Sequence, residues 1–347
     1  MPALLPPTMK PDTDAAVSVD APARLHLGFL DPSGTLGRRF GSIGLVIDGP
    51  ATQVQIGAAD TDAVLAATPT AQLELARAAE HLRRLRERTG RRQPLQLRLR
   101  QVLPPHAGFG SGTQLALAIG HAFARWHGLD IEAATLATWL GRGLRSGVGI
   151  AGFDHGGLLV DGGPGADGRP APLLSRVDLP AAWRVVLVQD ARAQGLSGGD
   201  EKRALVELPP LAPTAAAEIC HQVLMRILPG AALGEFAAFA AGVTQVQRVL
   251  GEHFAPAQQG RAFTSAAVGR LVQWLGDVEL DGDEHAARAA IGQSSWGPTG
   301  FAVLPSQASA EALLMAARAA GVIDPALDVR IFAARNRGAV LHDTRSR

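Results

Sequence analysis

Apolar and polar residues alternate along several short stretches of the first third of the chain. Thr52 to Ile56 alternates in this way, and Leu95, Leu97 and Leu99 are separated by polar residues. A period of two buries one face of a strand and exposes the other. Apolar runs bounded by Gly or Pro predict further strands at residues 24–30, 43–47, 157–160, 183–189, 301–304 and 329–333.

A longer period predicts helices between these strands. Leu75, Ala79, Leu82 and Leu85 share one face of a helix that Gly90 ends. Similar patterns occur at residues 114–127, 131–141 and 309–320 and over most of 199–275. Because strands dominate before this helical region, we predict an α+β fold with two domains, residues 17–195 and 196–347. A tail rich in Pro, Asp and Thr, residues 1–16, is predicted to be disordered.

Composition and charge exclude several classes of protein. The 347 residues are 47% hydrophobic, and 33 basic against 32 acidic residues give a net charge of +1, which argues against a nucleic-acid binder. The single cysteine excludes an internal disulfide. No apolar stretch approaches the roughly 20 residues of a membrane span, and the start does not read as a secretory signal. We therefore expect a cytoplasmic protein that does not contact membranes.

The strongest local signal for chemistry is a glycine-rich turn between a predicted strand and a predicted helix. Its sequence is Gly108-Phe-Gly-Ser-Gly112, followed by Thr113. Backbone N–H groups and the positive end of the helix dipole favour a phosphate there, and Ser111 and Thr113 add hydroxyl donors. No Lys follows the glycines, so the turn is not a P-loop. The alternative is a tight structural turn before a core helix.

Two more glycine-rich segments carry polar residues. The first, residues 21–31, contains Arg24 and His26, which share a strand face and could alternatively be solvated. The second, residues 292–300, contains Gln293, Ser294, Ser295 and Trp296. A Trp in a polar loop favours stacking on a planar ligand, with a place in the core as the alternative. Three such segments at the start, middle and end of the chain indicate one assembled site.

These segments resemble the three motifs of the GHMP kinase superfamily. Together with Gly152-Phe-Asp-His-Gly-Gly157 and Gly292-Gln-Ser-Ser-Trp-Gly-Pro298, they resemble the β-ribofuranosylaminobenzene 5′-phosphate synthase branch over nearly the whole chain from Val17. The resemblance implies a two-domain GHMP kinase-like fold, with an N-terminal domain like domain 2 of ribosomal protein S5 and a ferredoxin-like C-terminal domain. The second motif lacks the Gly-Leu-Gly-Ser-Ser-Ala of the kinases and the third lacks their glycine run, which argues against ATP.

The implied reaction joins phosphoribosyl pyrophosphate to 4-hydroxybenzoate or 4-aminobenzoate, releasing CO2 and pyrophosphate, on the way to tetrahydromethanopterin. Mg²⁺ is the implied cofactor, and we predict that it is supplied with the substrate rather than held tightly by the protein. We also expect a homodimer. The alternatives are an ATP-dependent small-molecule kinase of the same fold and a non-catalytic ligand-binding protein.

Departure of a diphosphate calls for N–H donors, Arg and Mg²⁺. The candidates are Asp154 and Asp161 for the metal, His26 and His155 for a base, and Arg24, Arg142 and Arg145 for the 5′-phosphate or the carboxylate. Asp154 matches the catalytic Asp of the kinases, so we predict that it holds Mg²⁺ or faces the sugar cation. The structural alternatives are a turn residue for Asp154 and helix-capping roles for Arg142 and Arg145.

Overall fold

Two long strands form the spine of the molecule. The computed structural model describes residues 15–165, 167–196, 198–280 and 287–345, and the side chains of residues 200 and 202 are not described. Strand β1 (Ala16–Asp31) pairs antiparallel with β2 (Phe40–Ala58). The pairing shifts between Pro22 and Arg24, so Gly49 and Pro50 lie at a bulge of one continuous β2 rather than between two strands. Residues 1–14 of the predicted tail lie outside the described residues, and Ala16 already belongs to β1.

The N-terminal layer grows from β2, which pairs with a different strand near each of its two ends. Strand β4 (Leu95–Gln101) pairs with β2 and with β3 (Ala63–Ala66), and β5 (Leu158–Asp161) pairs with β2 and with β6 (Leu173–Val177). One core, which includes Val54, Leu97 and Phe123, lies between this sheet and its helices. The helices are α1 (Pro69–Gln72), α2 (Leu75–Thr89), α3 (Ser111–Trp126), α4 (Ala133–Trp139) and α5 (Val148–His155).

The C-terminal layer adds four antiparallel strands to the same sheet, and the strand next to β2 pairs with Ile47 and Asp48. Its strands are β7 (Arg184–Asp190), β8 (Ala290–Gln293), β9 (Thr299–Leu304) and β10 (Leu327–Ala334), in the order β10-β7-β9-β8. Helices lie between β7 and β8 and between β9 and β10, which is the ferredoxin-like βαββαβ arrangement that the resemblance implied. The helices are α6 (Gly198–Glu207), α7 (Pro213–Gln222), α8 (Leu228–Leu233), α9 (Phe236–Phe254), α10 (Ala266–Asp277) and α11 (Gln307–Ala319), with a π-helical segment at Val223–Ile227 and a 3₁₀ turn at Ala255–Gln258.

The chain crosses between the two layers more than once. Strand β7 precedes the predicted boundary at residue 195 but pairs with β9 and β10. The last strand, β11 (Val340–Asp343), returns to pair with β1. The predicted division at residue 195 therefore falls after the chain has entered the C-terminal layer, and it stays a prediction about domains. Among the described residues, no helix is long and apolar enough to cross a membrane.

Candidate functional site

A cavity of about 530 Å³ lies where β1, the glycine-rich turn before α3, the loop at residues 141–147 and the start of α6 meet. We call it the arginine cavity. Four guanidinium groups line it, and Glu201 is the one carboxylate on the part of its wall that the structure describes. The four basic side chains are those of Arg24, Arg77, Arg142 and Arg145. This excess of positive charge suits a ligand with several negative charges.

The glycine-rich turn forms one wall of the arginine cavity. Gly108 and Gly110 have φ of +91° and +71°, which L side chains rarely adopt. Gly110 is the N-cap of α3, and no side chain caps this helix. The predicted phosphate loop therefore reaches the cavity with all five nominated residues on its lining: Gly108, Gly110, Ser111, Gly112 and Thr113.

Two of these glycines leave room for guanidinium groups. A Cβ at Gly110 would lie 3.2 Å from Nη2 of Arg24, and a Cβ at Gly112 would lie 3.1 Å from Nη1 of Arg142. Arg24 and Arg142 therefore stand on either side of the first turn of α3. The two cations and the positive end of the helix point to one anion-binding position.

Neither guanidinium group forms an ion pair among the described residues, although Arg24 is buried and Arg142 is half-buried. Arg24 is 9% exposed, so the alternative of a solvated strand face is wrong. Burial lowers its pKa to about 10, and the charge of Asp161 partly offsets this. Burial, and then the charge of Arg77, lowers the pKa of Arg142. Nε of each has no hydrogen-bond partner among the described residues. A buried, unpaired charge is costly, and a bound anion would remove that cost.

Arg145 and His26 complete the polar part of the cavity. Nη2 of Arg145 lies 2.7 Å from Oε2 of Glu201, and its Nη1 has no partner in the described ranges. His26 is 4% exposed, and its Nε2 is likewise without a partner there. Burial, followed by the charges of Arg24 and Arg145, holds the pKa of His26 well below 6.5. His26 is therefore a neutral imidazole at neutral pH, and its unpaired Nε2 can accept a hydrogen bond.

The third motif ties β1 to the phosphate turn. Ser294 Oγ donates to the carbonyl of Gly108 (2.6 Å) and accepts from the N–H of His26 (2.9 Å). The N–H of Ser295 donates to the carbonyl of His26 (3.1 Å), and Ser295 lines the arginine cavity. Ser294 thus positions two other elements of the site, and Ser295 is the residue of this motif on the cavity wall.

Gln293 and Trp296 lie behind that wall. The side-chain amide of Gln293 accepts from the N–H of Thr264 (2.6 Å) and donates to Oε1 of Gln258 (2.9 Å). Trp296 is 3% exposed, and its ring centroid lies 4.5 Å from that of Phe254. Neither residue lines the arginine cavity, so Trp296 takes the core position that the sequence left as its alternative.

The structure does not bring Asp154, His155 and Asp161 together. Asp154 and His155 are exposed at the C-terminal end of α5, and neither lines the arginine cavity. Asp161 is buried at the opposite end of this helix, which spans roughly 12 Å. Its carboxylate accepts the N–H groups of Gly147 (2.7 Å), Val148 (3.1 Å) and Gly163 (2.8 Å). Asp161 therefore caps α5 and is a counter-charge for Arg24.

These positions bear on how the predicted Mg²⁺ would be held. In the part of the chain that the structure describes, no group of three or more His, Cys, Asp and Glu side chains could hold a metal ion. The two predicted ligands, Asp154 and Asp161, lie at opposite ends of α5. The residues of the cavity thus fit an anion and do not fit a resident Mg²⁺.

The sequence analysis did not identify two charged residues of the arginine cavity. Arg77 projects from α2, and Glu201 lies in the first turn of α6. Arg77 sits in an ordinary amphipathic helix pattern with no distinguishing signal. The glycines just before Glu201 were the one available sign.

Comparison with known proteins agrees with this fold. A model described as GHMP kinases N terminal domain matches residues 74–157. A β-ribofuranosylphenol 5′-phosphate synthase from Archaeoglobus fulgidus is 32% identical over 83% of this chain and 87% of its own length. Another, from Methanothermobacter thermautotrophicus, is 28% identical over 93% of this chain and 98% of its own.

Two solved structures share the fold. Phosphomevalonate kinase from Streptococcus pneumoniae superposes on 92% of this chain and 100% of its own with a TM-score of 0.65 at 12% identity. Homoserine kinase from Cytophaga hutchinsonii superposes on 97% of this chain and 100% of its own with a TM-score of 0.59 at 16% identity. The predicted α+β class and GHMP kinase-like fold are confirmed.

Proposed function

The chain belongs to the β-ribofuranosylphenol 5′-phosphate synthase family, and on this premise we propose that it transfers the phosphoribosyl group of phosphoribosyl pyrophosphate to 4-hydroxybenzoate. CO2 and pyrophosphate leave, and a ribosylated phenol 5′-phosphate forms. The proposal rests on one observation in this chain: the buried Arg24 and the half-buried Arg142, neither with an ion-pair partner in the described structure, flank the uncapped start of α3.

The charge of the substrate matches the cavity. Phosphoribosyl pyrophosphate carries a diphosphate on C1 and a phosphate on C5, so two separate anionic groups must be neutralised. The arginine cavity offers four guanidinium groups against one described carboxylate. Guanidinium forks bind phosphate oxygens in pairs, and the hydroxyls of Ser111 and Thr113 add donors beside the turn.

In the proposed reaction the cavity has to position the two substrates and to stabilise the charge that develops. The bond from C1 of the sugar to the diphosphate oxygen breaks, and positive charge grows on the sugar while the arginines stabilise the leaving group. A bond forms between C1 and the ring carbon that carries the carboxylate. The bond to the carboxylate then breaks, and its electron pair returns to the ring as CO2 leaves.

His26 supplies the base that the acceptor requires. The ring carbon becomes nucleophilic as the 4-hydroxyl loses its proton, and the neutral imidazole can take that proton at Nε2 and return it when the ring regains aromaticity. Of the two predicted histidines, His26 lines the cavity and His155 does not. The structure therefore favours His26 for this role.

The predicted Mg²⁺ enters this proposal with the substrate. The cavity does not fit a resident metal, and Mg²⁺ binds diphosphate oxygens while keeping most of its waters. We therefore write the substrate as the magnesium complex of phosphoribosyl pyrophosphate.

A homodimer and a cytoplasmic location stay predictions. Light scattering on the purified protein would test the homodimer.

Carboxyl-labelled 4-hydroxybenzoate gives a direct test. We expect purified protein with phosphoribosyl pyrophosphate and Mg²⁺ to release labelled CO2, with 4-aminobenzoate run in parallel as the other acceptor. Formation of ADP from ATP and a sugar or alcohol, without CO2 release, would support the kinase alternative. Ligand binding without turnover of either kind would support the non-catalytic one.

A further inference from the structure

A second, smaller recess adjoins the arginine cavity. His26, Phe29 and Ser295 line both spaces. Beyond them the recess is walled by the apolar side chains of Leu250 and Phe254 and by Trp296. Its described lining contains no Asp, Glu, Lys or Arg, so it suits an uncharged group. The described wall of the recess offers no cationic side chain to the phosphates of the proposed substrate.

The polar atoms of this wall are nearly all paired. The side chain of Gln247 donates to the carbonyl of Leu27 (2.6 Å) and accepts from the N–H of Gln293 (2.8 Å). The side chain of Gln258 accepts from Gln293 and from the hydroxyl of Thr264. Nε2 of His26 is the buried atom of the described lining that lacks a partner. It can therefore accept a hydrogen bond from a donor group of a ligand that enters the recess.

We propose that this recess receives the para-hydroxyl end of the acceptor ring, with Nε2 of His26 accepting the hydrogen bond of the hydroxyl. The inference rests on the function proposed above and adds where the acceptor lies and what limits its size. Phe29, shared by both spaces, would contact the ring between its two ends.

The size of the recess agrees with this orientation. It holds about 40 Å³, well below the roughly 150 Å³ cavity that takes up a whole benzene molecule. A hydroxyl group and the ring edge that carries it can enter, while the rest of the ring stays outside. The carboxylated carbon lies opposite the hydroxyl, so it remains in the arginine cavity, where it must meet C1 of the sugar.

A closely walled recess should discriminate against bulk beside the hydroxyl. A 3-methyl group on 4-hydroxybenzoate keeps the ring activated but widens the end that enters. One additional methyl or methylene in such a pocket changes kcat/KM by about 10- to 200-fold. We therefore expect 3-methyl-4-hydroxybenzoate to react with a kcat/KM at least tenfold below that of 4-hydroxybenzoate.

Enlarging the recess should reverse that preference. Leu250→Ala removes part of its wall, and we expect the ratio of kcat/KM for the 3-methyl acceptor over 4-hydroxybenzoate to rise at least tenfold. Leu313→Ala is the matched control, because Leu313 is equally buried but lies in α11, away from the recess. The ratio does not depend on how much of a variant folds.

A second variant narrows the recess. Ala262 is half-buried and lines the recess but not the arginine cavity. Ala262→Leu should raise KM for 4-hydroxybenzoate at least tenfold and leave KM for phosphoribosyl pyrophosphate within about twofold.

The outcomes distinguish failure of the recess assignment from failure of the proposed function. An active wild-type protein whose acceptor ratio is unmoved by Leu250→Ala, and whose acceptor KM is unmoved by Ala262→Leu, would overturn the recess assignment alone. A wild-type protein that releases no CO2 from 4-hydroxybenzoate with phosphoribosyl pyrophosphate would overturn the proposed function, and the assignment with it.

Discussion

Replacing Arg142 with methionine should weaken substrate binding and stabilise the free protein at the same time. The guanidinium lies beside the first turn of α3, where a Cβ at Gly112 would be 3.1 Å from Nη1. A hydrogen bond to a charged group contributes about 1.5–3 kcal/mol. Loss of one such contact to the diphosphate predicts a fall of roughly 10- to 150-fold in kcat/KM for phosphoribosyl pyrophosphate.

The stability effect has the opposite sign. The lowered pKa of Arg142 means that the folded protein disfavours its charged form, through burial first and then the charge of Arg77. Methionine keeps most of the stem and removes the charge, so we expect the free energy of unfolding to rise by about 1 kcal/mol, or about 2 °C in Tm.

Initial rates of CO2 release and calorimetric melting, each with and without phosphoribosyl pyrophosphate, measure both effects on one preparation. The matched control is Arg83→Met, because Arg83 is exposed on α2 and pairs with Glu80 and Glu87 on the surface, where ion pairs contribute little. A lower Tm together with an unchanged KM for phosphoribosyl pyrophosphate would show that Arg142 is a structural residue and refute the reasoning.

Four further outcomes follow from the site. Gly110→Val should raise KM for phosphoribosyl pyrophosphate at least tenfold, because the new Cβ would lie 3.2 Å from the guanidinium of Arg24 at a φ of +71°; an unchanged KM in a folded variant would reject the phosphate turn. Asp154→Asn should leave kcat within about threefold of wild type, since the exposed carboxylate lies outside the cavity lining; a hundredfold loss would restore the catalytic role that the sequence predicted. The kcat/KM for 4-hydroxybenzoate should fall as pH drops through the lowered pKa of His26, because imidazolium cannot accept a proton; a loss that begins above pH 7 would contradict this role. Chelation with EDTA should stop turnover without shifting the Tm of the free protein, and a lower Tm would reveal a resident metal.

The sequence alone determined the features that depend on neighbouring residues. Alternation in β4 and the helical period in α2 matched the structure because burial of one face imposes that period locally. The phosphate turn was also predictable, since its glycines are required by positive φ at Gly108 and Gly110.

Local sequence patterns predicted the wrong secondary structure where contacts between distant segments determined it. Gly49 and Pro50 look like a strand end, yet β2 continues through them because β1 pairs with it on both sides of the bulge. Helix α5 was missed because its segment is rich in Gly, a poor helix former. Its start is held by the carboxylate of Asp161, a contact that no local pattern announces.

The roles of individual site residues required the tertiary structure. Arg24 and Asp154 are both charged residues in the motifs that carry the family resemblance, and the sequence analysis predicted a catalytic role for both. The fold buries Arg24 without an anion partner in the described structure and leaves Asp154 exposed at the far end of α5. Residue type and spacing determine which groups a chain can offer to a ligand. Segments distant in sequence decide which of those groups is buried without a partner. Burial and pairing arise only where such segments pack together.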